Sequence, residues 1–345
     1  LPAPRELPAH VAATEPLSPS GVEAFRTCPE SYHIAYELAV KGSDYNSALS
    51  IGSAFGAGAE QLLADWKSGD VALQLAAVSM ACDMARALKS CDEDRRETVT
   101  NQALRDGARV ATMLRGWWRH WTRARQVFVD GPQLPWIEAV ATEHDLAAPL
   151  LNPETTAASR TFHMKGRCDA IVKLPDASPL YIYELKTTSD TLDDVESYLR
   201  HGVQVSAYQA MASWMWPGVD WRGCVIDICK KPVIKQRKTG KTGKTAETLE
   251  QYQQRCLDAY ADEPDRYFRR VLLDWDEGAQ VEARAVWWRV AEALRASRRW
   301  GYLAVRGLRC KTALGWCRYR GICWFGDAHG FAVDNDDFDG GKKTA

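Results

Sequence analysis

The chain has 345 residues, 46% of them hydrophobic, and its 44 Lys and Arg nearly balance 45 Asp and Glu. That length can bury a substantial core in one large domain or two modest ones, and the charge balance excludes the global basic field that marks many nucleic-acid binders, so a polyanion site must be a local patch. No run of about 18 apolar residues reads as a membrane span, the first residues lack a signal-peptide pattern, and ten Cys without an export signal argue against a disulfide framework; the expectations are a cytoplasmic protein with no membrane partner.

Residues 1–20, rich in Pro and Ala, read as an extended lead-in. N-terminal helices follow over 21–68: "SPSGVEAFRTCPESYHIAYEL" takes Ser18 or Ser20 as N-cap and is interrupted at Cys28-Pro29, and "SALSIGSAFGAGAEQLLADWKSG" is a Gly-rich turn entering a helix that ends near Gly69. The pattern over 69–130 predicts a helical insertion, with helices at about 71–90 and 94–127, the second holding "RGWWRHWTRAR". Those Trp are either buried at helical spacing or platforms for single-stranded bases.

Over 131–232 the period shifts to two, and "PWIEAVATEHDLAAPL", "RTFHMKGRCDAIVKL", "LYIYELKTTS" and "GCVIDICKKP" predict strands. A helix, "VESYLRHGVQVSAYQAMASWMW", lies between the last two, so this stretch is an α/β sheet core. Residues 233–246 read as a mobile basic loop; Lys230, Lys231, Lys235, Arg237 and Lys238 at its start could track a phosphate backbone. Its "TGKTGKT" is not a P-loop, because Lys stands at 235 and 238 where that motif needs Gly. Helices at about 246–262 and 276–300 and a Cys-rich segment fill 247–330, and the polar 331–345 reads as a disordered tail.

The chemistry is concentrated in "GRCDAIVKLPDASPLYIYELK", read as a hairpin whose loop is centred on Asp176-Ala177. Symmetric pairing about that centre sets Asp169 opposite Glu184, and two like charges directly opposed on one face repel. A hard divalent ion turns that cost into a site, since Mg²⁺ takes one or two carboxylates plus substrate phosphate. Lys186, on the same face as Glu184, would sit beside the water that the ion activates. The alternative from the residues alone is a surface hairpin with a solvated acid and base trio.

Asp169 followed by Glu184-Leu185-Lys186 resembles the D…(D/E)xK signature of the PD-(D/E)xK nuclease superfamily, and Gln204-x-x-x-Tyr208 resembles the Q-x-x-x-Y motif of its RecB-like branch. The resemblance implies an α/β fold with a restriction-endonuclease-like core, a mixed central sheet flanked by helices, here with an inserted helical subdomain and a Cys-rich C-terminal tail. It further implies that Asp169, Glu184 and the Leu185 carbonyl hold Mg²⁺ or Mn²⁺, that Lys186 assists the water, and that Gln204 and Tyr208 position Lys186 or the phosphate. Many RecB-like nucleases also carry a metal-binding His on the first Gly-rich helix; that position falls on Gly56 here, and Glu60, one turn on, is the candidate replacement.

Iron–sulfur members of this branch place one Cys before the nuclease core and three after it. Cys28, Cys310, Cys317 and Cys323 match that arrangement, although six residues separate Cys310 from Cys317 where the family usually has two, and the match implies a [4Fe-4S] cluster. Four soft thiolates suit zinc equally. The other six Cys read as core residues. The resemblance thus implies a DNA exonuclease of recombination or end processing, with DNA and a single-strand annealing or recombination protein as partners, and "LEQYQQRCLDAYADEPDRYFRRVLL" resembles a stretch of phage-encoded members, which implies a phage-encoded protein acting in the bacterial host cytoplasm. The rivals are a DNA-binding protein of the same fold without turnover and a zinc-stapled assembly protein.

Overall fold

The computed structural model describes residues 1–42, 45–89, 91–126, 137–174, 179–237, 246–303, 310–312, 315–328 and 331–333. The chain opens with α1 (Ala9–Ala12), β1 (Glu15–Leu17) and α2 (Pro19–Thr27), whose first turn is capped by the Ser18 hydroxyl accepting from the Gly21 N–H at 3.1 Å. Cys28 is extended, as a residue before proline prefers, and separates α2 from α3 (Pro29–Tyr32). A π-helical turn at His33–Glu37 and β2 (Val40–Gly42) lead to three long helices, α4 (Ser47–Ala64), α5 (Gly69–Lys89) and α6 (Glu93–Gln126).

Next come β3 (Glu138–Leu151), β4 (Ala158–Lys173), β5 (Leu180–Thr188), α7 (Leu192–His201), α8 (Val203–Met215) and β6 (Trp221–Lys230). Then follow α9 (Leu249–Asp262), α10 (Pro264–Tyr267), β7 (Phe268–Asp274), α11 (Glu277–Trp300), the short pair β8 (Lys311–Thr312) and β9 (Gly315–Trp316), α12 (Arg320–Phe325) and β10 (Phe331–Val333).

Strand β4 organises the sheet. One of its edges pairs antiparallel with β3 from end to end, while the other is divided: β1 lies parallel at Phe162–Met164, and β5 lies antiparallel at Ala170–Lys173. Residues 165–169 on that second edge have no strand beside them among the described residues. Beyond the fork, β5 runs parallel to β6 as far as Thr188↔Lys230, and β7 closes the far edge antiparallel to β6.

Each face of the sheet has its own cover. Phe162, Met164, Cys168, Ile171 and Ile182 pack with α8 and α11 through Val205, Met211 and Trp287. On the opposite face Ala170, Val172, Tyr181, Tyr183 and Val225 form a second layer, next to the core of α4 to α6 built on Ile51, Phe55, Met113, Leu114 and Trp117. Buried there is an ion pair: Arg270 donates through Nε (3.0 Å) and Nη2 (2.6 Å) to Asp227 Oδ2, and its guanidinium lies 3.7 Å from the Trp121 ring centre. Trp117 Nε1 and the Tyr183 hydroxyl donate to the same carboxylate at 3.1 and 3.0 Å.

Several expectations need correction. The lead-in over 1–20 is structured, and β1 within it joins the sheet; β7 also joins from outside 131–232. The single helix expected before β6 is two, because Gly202 is extended between α7 and α8. Phe331–Val333 pairs with β2 and is not part of a structureless tail, while 334–345 lies outside the described residues. Trp117 and Trp121 are buried, and the Trp118 indole donates to the Trp66 carbonyl at 2.8 Å, so those rings serve packing. Of the six Cys expected in the core, Cys168, Cys224, Cys229 and Cys256 are buried, but Cys82 is exposed and Cys91 is only partly covered. By length and composition α5 is apolar enough to cross a membrane; here Ala72, Ala76 and Met80 turn its inner side into the α4 to α6 core.

Candidate active site

The fork in the sheet makes the site. Ladder pairs Lys173↔Leu180 through Ala170↔Tyr183 put Asp169 and Glu184 next in register, at the point where β5 leaves β4 for β6. With no ladder bond left to make there, the Leu185 N–H donates to Asp169 Oδ2 at 2.5 Å. The hairpin loop itself, at 175–178, lies outside the described residues, but the register on both sides is the one its symmetry predicts.

Glu184 is 3% exposed and faces the same side as Ile182. Its Oε1 accepts from both Lys186 Nζ and Gln204 Nε2, the latter at 2.8 Å. The other oxygen, Oε2, is buried with no hydrogen-bond partner. An unsatisfied buried carboxylate oxygen is costly, and desolvation pushes the Glu184 carboxyl up to about 7 despite the nearby Lys186 ammonium. Burial also raises Asp169, against the Leu185 N–H and Lys186. Lys186 is raised: burial opposes its charge, but Glu184 and Asp169 outweigh it. The lysine therefore stays an ammonium held between two acids.

The unpaired edge of β4 explains the rest. The Tyr208 hydroxyl donates to the Arg167 carbonyl at 2.8 Å, taking the place of a missing strand, and accepts from Gln204 Nε2 at 3.0 Å. A Cβ on Gly166 would stand 2.7 Å from Tyr208 Cε1, so only Gly lets the ring reach the edge. Gln204 and Tyr208 therefore bear on Glu184 and the β4 backbone, where they were expected to position Lys186 or the phosphate.

On α4, Gly52, Gly56 and Glu60 recur every four residues and share one side of the helix. A Cβ on Gly52 would meet Thr187 Oγ1 at 3.5 Å, whereas one on Gly56 meets nothing within 4 Å, so the expected His position opens onto free space. Burial raises the Glu60 carboxyl first, then Glu143 and Asp169, with a hydrogen bond from Thr142 opposing. Glu60 is thus near enough to feel the charge of Asp169.

Glu143 was missed in the sequence. Pairs Thr142↔Ala170 and His144↔Cys168 put it beside Asp169, it has φ 44°, and it ion-pairs with Arg167 at 3.0 Å. A non-Gly residue with positive φ beside a site is stored strain, and nothing in a one-residue letter pattern signals it. The basic residues expected to track a phosphate backbone start at the end of β6. Lys231 Nζ donates to the Ala48 carbonyl at 3.4 Å, and burial, then Arg109, lowers its pKa. The Lys230 carbonyl accepts from Tyr260, the Lys235 carbonyl accepts from Arg255, and the Arg237 N–H donates to Glu247. Residues 231–237 thus make hydrogen bonds to Ala48, Arg255 and Glu247, and the rest of the expected loop up to 245, Lys238 included, lies outside the described residues.

Away from the fork, Cys28, Cys310, Cys317 and Cys323 line one cavity of about 20 Å³ with Ile34, Tyr319 and Trp324. Burial raises the Cys317 thiol, with Cys310 and Cys28 adding to the effect. Among the described residues no group of three or more His, Cys, Asp or Glu stands at metal-ligand spacing. The four thiols share a cavity but are not drawn together around a centre.

The family model of the PD-(D/E)XK nuclease superfamily matches residues 16–324. The chain belongs to that superfamily. No curated protein matches it. PD-(D/E)XK membership brings metal-dependent nuclease chemistry, a hydrolase with DNA as its substrate class, and the residues at the fork fit the implied ion. Two carboxylates and the Leu185 carbonyl are hard oxygen donors, and the lone Glu184 Oε2 is a ligand atom without a partner.

Proposed function

We propose that this PD-(D/E)XK protein is a Mg²⁺- or Mn²⁺-dependent DNA exonuclease of recombination or end processing. The observation that carries the nuclease reading is the partnerless Glu184 Oε2 beside Asp169, with Lys186 and Gln204 occupied on the other oxygen. Asp169, Glu184 and the Leu185 carbonyl would hold the ion, with Glu60 a further acid on α4. When bound, the ion lowers the pKa of a water and neutralises charge on the phosphate.

The protein's own groups do the remaining work. Lys186 keeps a proton at Nζ, so it orients the attacking water and offsets charge growing on the phosphoryl oxygens. Gln204 fixes the Glu184 carboxylate through Oε1 and leaves Oε2 without a protein donor. Tyr208 locks Gln204 to the β4 backbone.

Finer features belong to the same reading. The similarity of Gln204-x-x-x-Tyr208 to the RecB-like motif supports exonucleolytic cutting with a single-strand annealing protein as partner, and the resemblance of residues 249–273 to phage-encoded members supports a phage-encoded enzyme in a bacterial cytoplasm. The shared cavity of Cys28, Cys310, Cys317 and Cys323 supports a [4Fe-4S] cluster, for which the thiols must move to ligand spacing; four thiolates satisfy zinc as well. Iron and zinc content of the anaerobically purified protein separates the two. A catalytically weak DNA-binding protein is the second reading, favoured by the empty space at Gly56.

End-labelled single- and double-stranded DNA and a closed circle, incubated with Mg²⁺ or Mn²⁺, test the assignment. Linear DNA should be degraded and the circle spared, and Asp169→Ala, Glu184→Ala and Lys186→Ala should each abolish cleavage while DNA binding persists. Cleavage unchanged in all three variants would overturn the nuclease site, and binding without metal-stimulated degradation would select the second reading.

A further inference from the structure

Six large apolar side chains exposed among the described residues lie on or beside the π-helical turn, the end of α11, α12 and β10. Trp300 and Leu303 are each 77% exposed and Phe325 68%, with Tyr36, Leu38 and Val333 also open. One short stretch gathers them. His33 stacks on Tyr302 at 4.4 Å, and Glu37 accepts from Arg298 at 2.7 Å, which brings the end of α11 against the π-helical turn. Ser31 and Ile34 line the same cavity as Cys323 and Trp324, which brings α12 against its other side. The pairing Val333↔Val40 adds β10 just beyond Leu38.

Cations lie on the exposed rings. The Arg299 guanidinium stands 4.8 Å from the Trp300 ring centre, and Arg320 stands 5.7 Å from that of Phe325. Among the described residues of this end, Glu15 and Glu37 both bind Arg298. Flat rings capped by guanidinium groups, in a chain whose charges otherwise balance, suit a ligand with π faces and a negative backbone.

We propose that Trp300 and Phe325, with Arg299 and Arg320, form a stacking surface for single-stranded DNA at the end of the molecule that carries the Cys cavity. The proposal rests on the reading of DNA as substrate. Arg298 lies 5.1 Å from the Phe162 ring centre, and Phe162 precedes Asp169 by seven residues on β4, about 23 Å at strand rise. A strand held at this end therefore lies within reach of the fork, and the surface would favour substrates with a single-stranded portion.

Fluorescence anisotropy with 5′-labelled dT20 in EDTA, where no cleavage occurs, tests the proposal on the full-length holoprotein. Trp300→Ala/Phe325→Ala should bind dT20 at least about tenfold more weakly, the scale of one lost base stack. Its hydrolysis of bis(p-nitrophenyl) phosphate with Mn²⁺ should stay within about twofold, because that small diester needs only the fork. Affinity for dT20 within about twofold of the parent overturns the proposal. So does conversion of an oligomer to a monomer with DNA affinity unchanged, which would make the patch a contact between copies. As a second measurement on the unmodified protein, an oligonucleotide carrying 5-iododeoxyuridine should photocrosslink to peptides holding Trp300 or Phe325; crosslinks confined to other peptides overturn it too. If the parent hydrolyses neither DNA nor the small diester, the nuclease reading fails, while a tenfold loss of dT20 binding in the variant still supports the surface.

Discussion

A single hydroxyl at Tyr208 joins two duties, since it donates to the Arg167 carbonyl and accepts from the Gln204 amide that holds Glu184. Tyr208→Phe leaves a buried carbonyl and an amide without that partner, so it should cost about 1–3 kcal/mol, read as a lower urea midpoint. The same variant should lower kcat more than it raises KM, because Glu184 loses a restraint without a loss of substrate contact; a fall in stability with kcat unchanged would make Tyr208 purely structural. At this scale the sequence was informative about identity and less so about partnership. Asp169, Glu184 and Lys186 follow from strand alternation and hairpin symmetry. That Gln204 binds Glu184 and not Lys186 depends on the packing angle of α8 over β4, which no spacing encodes.

The Asp227–Arg270 pair ties strands β6 and β7 to α6 through Trp117 and Trp121. Removing one partner of a buried pair leaves an uncompensated charge, so Asp227→Ala should lose about 3–5 kcal/mol. Asp227→Leu/Arg270→Met should recover much of that loss in a denaturant titration, because it removes both charges; a double variant as unstable as the single would mean that the network holds α6 by geometry rather than by charge balance. Elements with strong periodicity were legible: the helices expected at 71–90, 94–127 and 276–300 form at 69–89, 93–126 and 277–300, and the four expected core strands all form. Strand β1 escaped notice because three residues containing a proline have no period. Strand β7 escaped because Arg269 and Arg270 interrupt its apolar run, and the partner that makes Arg270 tolerable, Asp227, is 43 residues away.

Across the molecule, Arg298 is the clasp between the chain's first and last thirds: it takes Glu15 in a bidentate pair at 2.6 and 2.7 Å and Glu37 at 2.7 Å. Burial would raise the Glu37 carboxyl, but hydrogen bonds and the Arg298 charge outweigh it and hold the pKa below the ordinary 4.5. A folded-state pKa that is depressed contributes stability above the ordinary value and loses it as pH falls through the depressed one. Thermal midpoints recorded from pH 7 downward should therefore fall less steeply below about pH 4.5 for Glu37→Gln than for the parent. Parallel curves would remove Glu37 from the acid response.

The pairing of β2 with β10 has a bearing on how the chain is made. Val40 meets Val333, and Cys28 shares its cavity with Cys323, so the first of each pair leaves the ribosome nearly 300 residues before the second. At about 5–20 residues per second this wait is roughly 15–60 s. Strand β1 can dock on β4 long before that, so the nuclease sheet can assemble while the stretch from Cys28 to Gly42 is still without its partners. Closure of this end then follows formation of the fork, and a chain truncated before residue 310 should keep the fork yet leave that stretch open to proteases.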